Sequence, residues 1–292
     1  MRSPIQLAAA CTLVFCALAL AQEDPDAGPS REGARRAAQP ESLNAVSIVA
    51  ESQRAFYYAA EDMKALVTMA LIDKDGNRRT RVMTMLRLDE RDGGNQKYFV
   101  YFHEPGDVRR VVFMVWKYPD KEDTRWLFIP AVDLIRQIAA DDNRSSFVGS
   151  DFTYEDVSGR DVSADTHALL REEQLGARNT HVIQSVPKAA ADYTKRVSWV
   201  DTESLLPVKE EYYDAQDQLF RVFTADRIED ILVGEGHAAT TFPTVMTRTM
   251  TNVKTGHRTE VRFTSVTYNL GTLKDEDFDE RRMRRPPREW TK

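Results

Sequence analysis

Asp151, Glu155 and Asp156 stand close together in the stretch Ser146–Gly159, which reads SFVGSDFTYEDVSG. Their chemistry would be acid–base catalysis, because two carboxylates in unlike surroundings separate their pKa values and divide the roles of acid and base. A catalytic reading also needs a partner base or nucleophile. The five histidines are His103, His167, His181, His237 and His257. No two are spaced four apart, no HExxH occurs, and GxSxG, P-loop and GxGxxG patterns are missing, so zinc and histidine-base chemistry have no local signature. His257 falls in a predicted hairpin turn, where a solvated imidazole is expected. The competing reading of the stretch is a brace. An Asp after Gly149-Ser150 closes turns by accepting from nearby backbone N–H groups. Phe147, Phe152 and Tyr154 would anchor the loop in an apolar layer, with the Tyr154 hydroxyl needing a partner there. On this reading Gly149, Asp151, Phe152, Tyr154 and Asp156 are structural, no residue is catalytic, and no metal or cofactor is required. With no base–nucleophile pair beside the loop, the brace is the expectation.

The elements that must position this stretch are mostly strands. From Asp62 the pattern has period two, with Ala65, Val67, Met69 and Leu71 on one side. Asp75-Gly76 marks a hairpin turn, and Arg81–Leu88 returns. Gly93-Gly94 closes a second hairpin before Lys97–His103. Further strands are expected at Val111–Trp116, Thr124–Ile129, Leu134–Ile138, Thr180–Val186, Lys195–Val200, Val208–Tyr213, Leu219–Ile228, Thr244–Asn252 and Thr259–Tyr268. One helix is predicted over Glu41–Ala60, with Ser42 as its cap. The class is therefore mainly antiparallel β with few helices. A sheet of this size curls into a barrel or half-barrel whose hollow must be filled by a plug or by a ligand. Val67, Met69, Leu71, Met83, Met85, Phe99, Tyr101, Phe113, Met114, Trp116, Trp126, Phe128 and Trp199 supply its apolar surface. Two readings stay open for them. They are ordinary core, or they line a cavity, since Met and aromatic side chains make adaptable apolar walls.

The N-terminus reads as an export signal. Arg2 precedes an apolar run from Leu7 to Leu20, and Ala19-Leu20-Ala21 matches the small-x-small cleavage rule, so residues 1–21 are expected to be removed. Phe15 before Cys16, and the short segment before Cys11, favour cleavage over lipid attachment. Both cysteines lie in that segment, so no disulfide or thiol site is expected beyond it. Residues 22–40, rich in Pro, Gly, Ala and charge, read as a flexible linker. The domain is expected over 41–280, followed by a basic tail, 281–292. Arg281, Arg282, Arg284, Arg285 and Arg288 in that tail either dock an anionic surface or acidic partner or form a solvated face. The net charge of −6 argues against nucleic acid as a partner.

Five stretches in order carry a family resemblance: FHEPGDVRRVVFMVW, DTRWLFIPAVDLIRQI, SSFVGSDFTYEDV, KRVSWVDTESLLPVKEEYYDAQDQLFRVF and FPTVMTRTMTNVKTGHRTEVRFTSVTYN. Together they resemble the outer membrane lipoprotein-sorting protein family, a LolA-like periplasmic group related by fold to LolA, LolB and the sensor RseB. The resemblance implies an unclosed β half-barrel with a helical plug or lid, a hydrophobic cavity for lipid or lipoprotein acyl chains, and a non-enzymatic role. It also implies a periplasmic location, transient membrane contact, and partnership with an RND-type inner-membrane exporter. A lipid-state sensor or adaptor is the alternative role. The chain is longer than the classical carrier, and the Ser146–Gly159 stretch belongs to the broader group.

Overall fold

The computed structural model describes residues 44–291, apart from residues 92, 140, 141, 143 and 190. The expected signal peptide, linker, helix start at Glu41 and Ser42 cap lie outside the described residues. The first described element is α1, Ala45–Tyr57, capped by Asn44, whose side chain accepts from the Ser47 N–H at 2.9 Å.

Thirteen antiparallel strands form one unclosed sheet. They are β1 Asp62–Ile72, β2 Arg78–Asp89, β3 Gln96–Glu104, β4 Val112–Lys117, β5 Thr124–Ile129, β6 Leu134–Ile138, β7 Asp165–Leu175, β8 Arg178–Pro187, β9 Lys195–Asp201, β10 Pro207–Tyr213, β11 Leu219–Val233, β12 Thr240–Asn252 and β13 Arg258–Tyr268. The predicted β1–β2 turn forms where expected. Asp73 Oδ1 accepts from the backbone N–H of Asp75 and of Asn77, each at 2.9 Å, and Gly76 takes φ 87°. β7 is the strand that the sequence pattern misses. It is an edge strand, and most of its residues are exposed on both faces, so no apolar alternation marks it.

The order across the sheet is β6-β5-β4-β3-β2-β1-β13-β12-β11-β10-β9-β8-β7. Strands consecutive in sequence are joined by hairpins except β6 and β7, and the first and last strands, β1 and β13, meet in the middle of the sheet. β6 lies at one edge and β7, next in sequence, at the other. The connection between them, residues 139–164, must therefore cross a face of the sheet. It contains the Ser146–Gly159 stretch, and the face it covers is called the inner face below.

Register decides which side chains point inward. Met85 pairs with Ala65 and Val100, Val100 with Phe113, and Val67 with Phe263. This row of apolar residues covers the β1–β5 and β13 part of the inner face. Phe147, Phe152 and Tyr154 of the connection join the same buried cluster. α1 covers the other part, with Ile48 and Val49 packed on Ile183 and Val200. The outer face of β2–β5 carries a separate cluster of Leu86, Phe99, Met114 and Phe128, capped by Phe278, Met283 and Trp290. The segment after residue 280 is thus folded onto the sheet. Its helix α3, Glu280–Arg284, buries Met283, and Trp290 is buried further on. The fold does not end at 280, because leaving these two large apolar groups in water would forfeit roughly 1.5–3 kcal/mol for each.

Candidate functional site

The Ser146–Gly159 stretch forms a plug, and its residues act by three kinds of contact. Its rings bury themselves. Phe147 lies 5.3 Å from Phe113 and 5.5 Å from Tyr154, centroid to centroid, and Tyr154 lies 5.1 Å from Phe113. Its backbone turns on itself. Phe147 N donates to Phe152 O at 2.7 Å, and Ser150 Oγ donates to Phe147 O at 2.8 Å. At the tip Gly149 adopts φ 76°, a left-handed conformation that glycine takes without steric cost.

The three carboxylates have separate jobs. Asp156 closes the capping box of the short helix α2, Tyr154–Ser158. Its Oδ2 accepts from Thr153 N at 2.7 Å, and its own N–H donates to Thr153 Oγ1 at 3.1 Å. The same Oδ2 accepts from Arg221 of β11 at 3.1 Å. Both Glu155 oxygens accept from one nitrogen of Arg160, Nη1, at 3.2 and 3.1 Å, and Arg160 Nε also reaches Asp165 at 2.9 Å. Burial raises the Glu155 carboxyl above its ordinary value, and the Arg160 guanidinium opposes that shift.

Asp151 does not close a local turn, which corrects the expectation. It reaches across to β13 and the turn before it. Its Oδ2 accepts from Thr259 Oγ1 at 2.7 Å and lies 2.7 Å from His257 Nδ1, while its N–H donates to Thr259 Oγ1 at 2.9 Å. His257 is therefore not simply solvated: it is a partner of the plug. The sequence hides this pairing because 106 positions separate the two residues. The trio is not arranged as a charge-relay nucleophile. The Thr259 hydroxyl donates to the carboxylate, and among the described residues no hydrogen bond joins it to the imidazole. Among the described residues no group of three or more His, Cys, Asp or Glu side chains is gathered to hold a metal.

The thirteen apolar candidates divide between faces, so one cavity cannot hold them all. Val67, Met69, Leu71, Met83, Met85 and Phe113 lie on the inner face beneath the plug. Phe99, Tyr101, Met114, Trp116, Trp126 and Phe128 lie on the outer face under the C-terminal segment, where Trp116 Nε1 donates to Phe278 O at 2.9 Å. Trp199 packs with Val182, Val197 and Val208 in a third cluster. The period-two rule explains the split: Phe113 and Met114 are neighbours in sequence and point to opposite faces. Strands apolar on both sides give no sequence sign of which side is the hollow.

The inner face also holds a polar half that the sequence pattern did not mark. Arg196 of β9 sits 3.3 Å from Glu210 of β10, and Arg221 lies 4.2 Å over the Tyr212 ring. Tyr57 of α1 contacts Asp156 O at 3.3 Å, and Gln53 of α1 donates to Arg160 O at 2.6 Å. α1 and the plug are thereby tied to each other as well as to the sheet. The voids left between them and the inner face measure about 60, 40 and 30 Å³. These are far below the roughly 300–1,000 Å³ typical of ligand sites. A more open and charged cleft of about 960 Å³ lies beside α1, lined by Arg54, Lys117, Asp123, Arg144 and Arg160 among others.

Comparison with known proteins places this geometry. A family model described as an uncharacterized protein matches residues 94–285. Among solved structures, an outer membrane lipoprotein-sorting protein domain from Vibrio parahaemolyticus is 26% identical, with a TM-score of 0.73 over 82% of this chain and 98% of its own. A DUF1329 family protein from Desulfovibrio piger is 24% identical, with a TM-score of 0.72 over 82% and 97%. A LolA superfamily protein from Nitrosomonas europaea is 17% identical, with a TM-score of 0.61 over 82% and 99%. No curated protein matches. The fold is LolA-like, as the sequence resemblance implies.

Proposed function

The chain belongs to the uncharacterized-protein family whose model spans residues 94–285 and has the fold of the lipoprotein-sorting domains, and from that premise we propose a lipid carrier. It binds the acyl chain of a lipid or lipoprotein in the periplasm, without catalysis, and passes it toward the outer membrane with a membrane exporter as donor. The observation that carries the reading is the plug. The apolar half of the inner face is covered by a connection whose hold is part apolar and part polar, and the remaining voids are too small for an acyl chain. Uptake therefore replaces the plug rather than filling an empty hollow.

Magnitudes favour such an exchange. An acyl chain gains about 0.8 kcal/mol for each methylene buried, so about twelve methylenes give roughly 10 kcal/mol. Removing the plug exposes Phe147, Phe152 and Tyr154, at roughly 1.5–3 kcal/mol per side chain. It also breaks the Asp151 contacts with Thr259 and His257 and the Asp156–Arg221 pair, each worth about 1–3 kcal/mol. The two sides are of similar size, so binding is reversible, and a carrier must release its cargo. Native mass spectrometry of protein purified from a periplasm, combined with uptake of a fluorescent fatty acid, tests the reading. Co-purified lipid and saturable uptake are expected. Absence of both would overturn it.

A further inference from the structure

Arg248 of β12 points onto the inner face, at the junction of the apolar and polar halves. Its side chain lines all three inner voids. Three phenylalanine rings surround its guanidinium, with Phe263, Phe56 and Phe152 centroids at 5.2, 5.3 and 5.8 Å. Arg248 Nε is buried without a hydrogen-bond partner, and among the described residues its side chain makes no ion pair. Three inner arginines of the polar half differ. Arg160, Arg196 and Arg221 each face a carboxylate at 2.9–3.3 Å. Asp156, the only carboxylate among the groups that favour the Arg248 charge most, is already committed to Arg221 and to its capping box. Arg248 as a residue is part-buried with its Nε sealed from water, and a cation held there without a counterion is costly. The aromatic rings offset only part of that cost, since each such contact contributes on the order of 1–2 kcal/mol.

We propose that Arg248 is the headgroup site of the cargo: it binds the single anionic group, carboxylate or phosphate, at the head of an acyl chain laid along Val67, Met69, Met83 and Met85. The inference rests on the carrier reading and adds the chemical class of ligand. The placement fits that class. Plug residue Phe152 lies over Arg248, so departure of the plug uncovers the cation and the apolar row together. A guanidinium offers a planar fork of donors suited to either anion. The chain lies in the apolar half while its charged end meets Arg248, which lacks the carboxylate partner that Arg160, Arg196 and Arg221 each have.

The test compares the full chain with Arg248→Leu and Arg248→Lys by calorimetric titration. The ligands are palmitate, 1-palmitoyl lysophosphatidate and neutral monopalmitoylglycerol. The parent protein is expected to bind one or both anionic ligands about tenfold or more tighter than the neutral one. Tighter palmitate marks a fatty-acid carboxylate, and tighter lysophosphatidate marks a lipid phosphate. Arg248→Leu should bind all three within about twofold, and Arg248→Lys, which keeps the charge but loses the planar fork, should keep a reduced anionic preference. Equal binding of neutral and anionic ligands by the parent, or an undiminished preference in Arg248→Leu, overturns the headgroup site and leaves the carrier reading standing. Failure of the parent to bind any of the three removes the carrier reading, and the headgroup site with it.

Discussion

His257 Nδ1 lies 2.7 Å from Asp151 Oδ2, and this contact fastens the plug to the turn preceding β13. Thr259, fully buried, donates to the same oxygen at 2.7 Å. The carboxylate is the centre of the latch.

Asp151→Ala leaves a buried Thr259 hydroxyl without its acceptor. Stability should fall by about 1–3 kcal/mol, read as a lower denaturation midpoint. Because the lost contacts hold the plug, uptake of a fluorescent fatty acid should become faster. An unchanged midpoint would show that the latch contributes nothing, and a lost chemical activity at unchanged stability would restore the catalytic reading of Asp151.

Gly159 ends α2 at φ 82°, ψ 158°, a conformation nearly confined to glycine, and a Cβ there would meet the Tyr57 ring at 3.0 Å. Gly159→Ala should cost about 1–3 kcal/mol in backbone strain, with a further loss from displacing α1. Urea unfolding measures it. A variant as stable as the parent would mean that plug and α1 are not packed as described.

Trp290 caps the outer face at 5.0 Å from Phe99 and 5.6 Å from Phe278. Trp290→Ala should cost about 3–5 kcal/mol. Truncation after Asp279 should expose enough of the outer cluster to bind a hydrophobic dye. A truncated protein with the parent's stability would return residues 281–292 to the solvated tail expected from their charge.

Glu155 and Asp192 both have pKa values raised by burial, each opposed by an arginine. A raised carboxyl keeps its proton longer in the folded state than in the unfolded one. Stability from these two groups is therefore present at low pH and is lost as pH rises through the window just above the ordinary carboxylate range. Glu155→Gln removes one of them, so the stability difference, variant minus parent, should rise with pH across that window. A flat difference would mean that Arg160 compensates the burial of Glu155 fully.

The sheet was legible because its hairpins are short and their turns carry standard chemistry, as Asp75-Gly76 does. The rings of the plug were legible too, since Phe147, Phe152 and Tyr154 sit together in sequence and are buried together. What lay hidden depends on distant pairing. Asp151 meets His257, and Asp156 meets Arg221, only because β6 and β7 fall at opposite edges and force their connection across the inner face. The apolar candidates divided for a related reason. Strands such as Val112–Lys117 are buried on both sides, so hydrophobicity cannot say which side chain faces the plug and which faces Trp290. Arg248 gave no signal in sequence because its significance lies in the carboxylate it lacks.

Replacement of the plug by an acyl chain is tested most directly by hydrogen exchange of the amides from Phe147 to Ser158, measured with and without saturating palmitate. The carrier account predicts that these amides lose protection when lipid binds, while the amides of β1–β3 keep theirs. Lipid binding that leaves the plug as protected as before would contradict it.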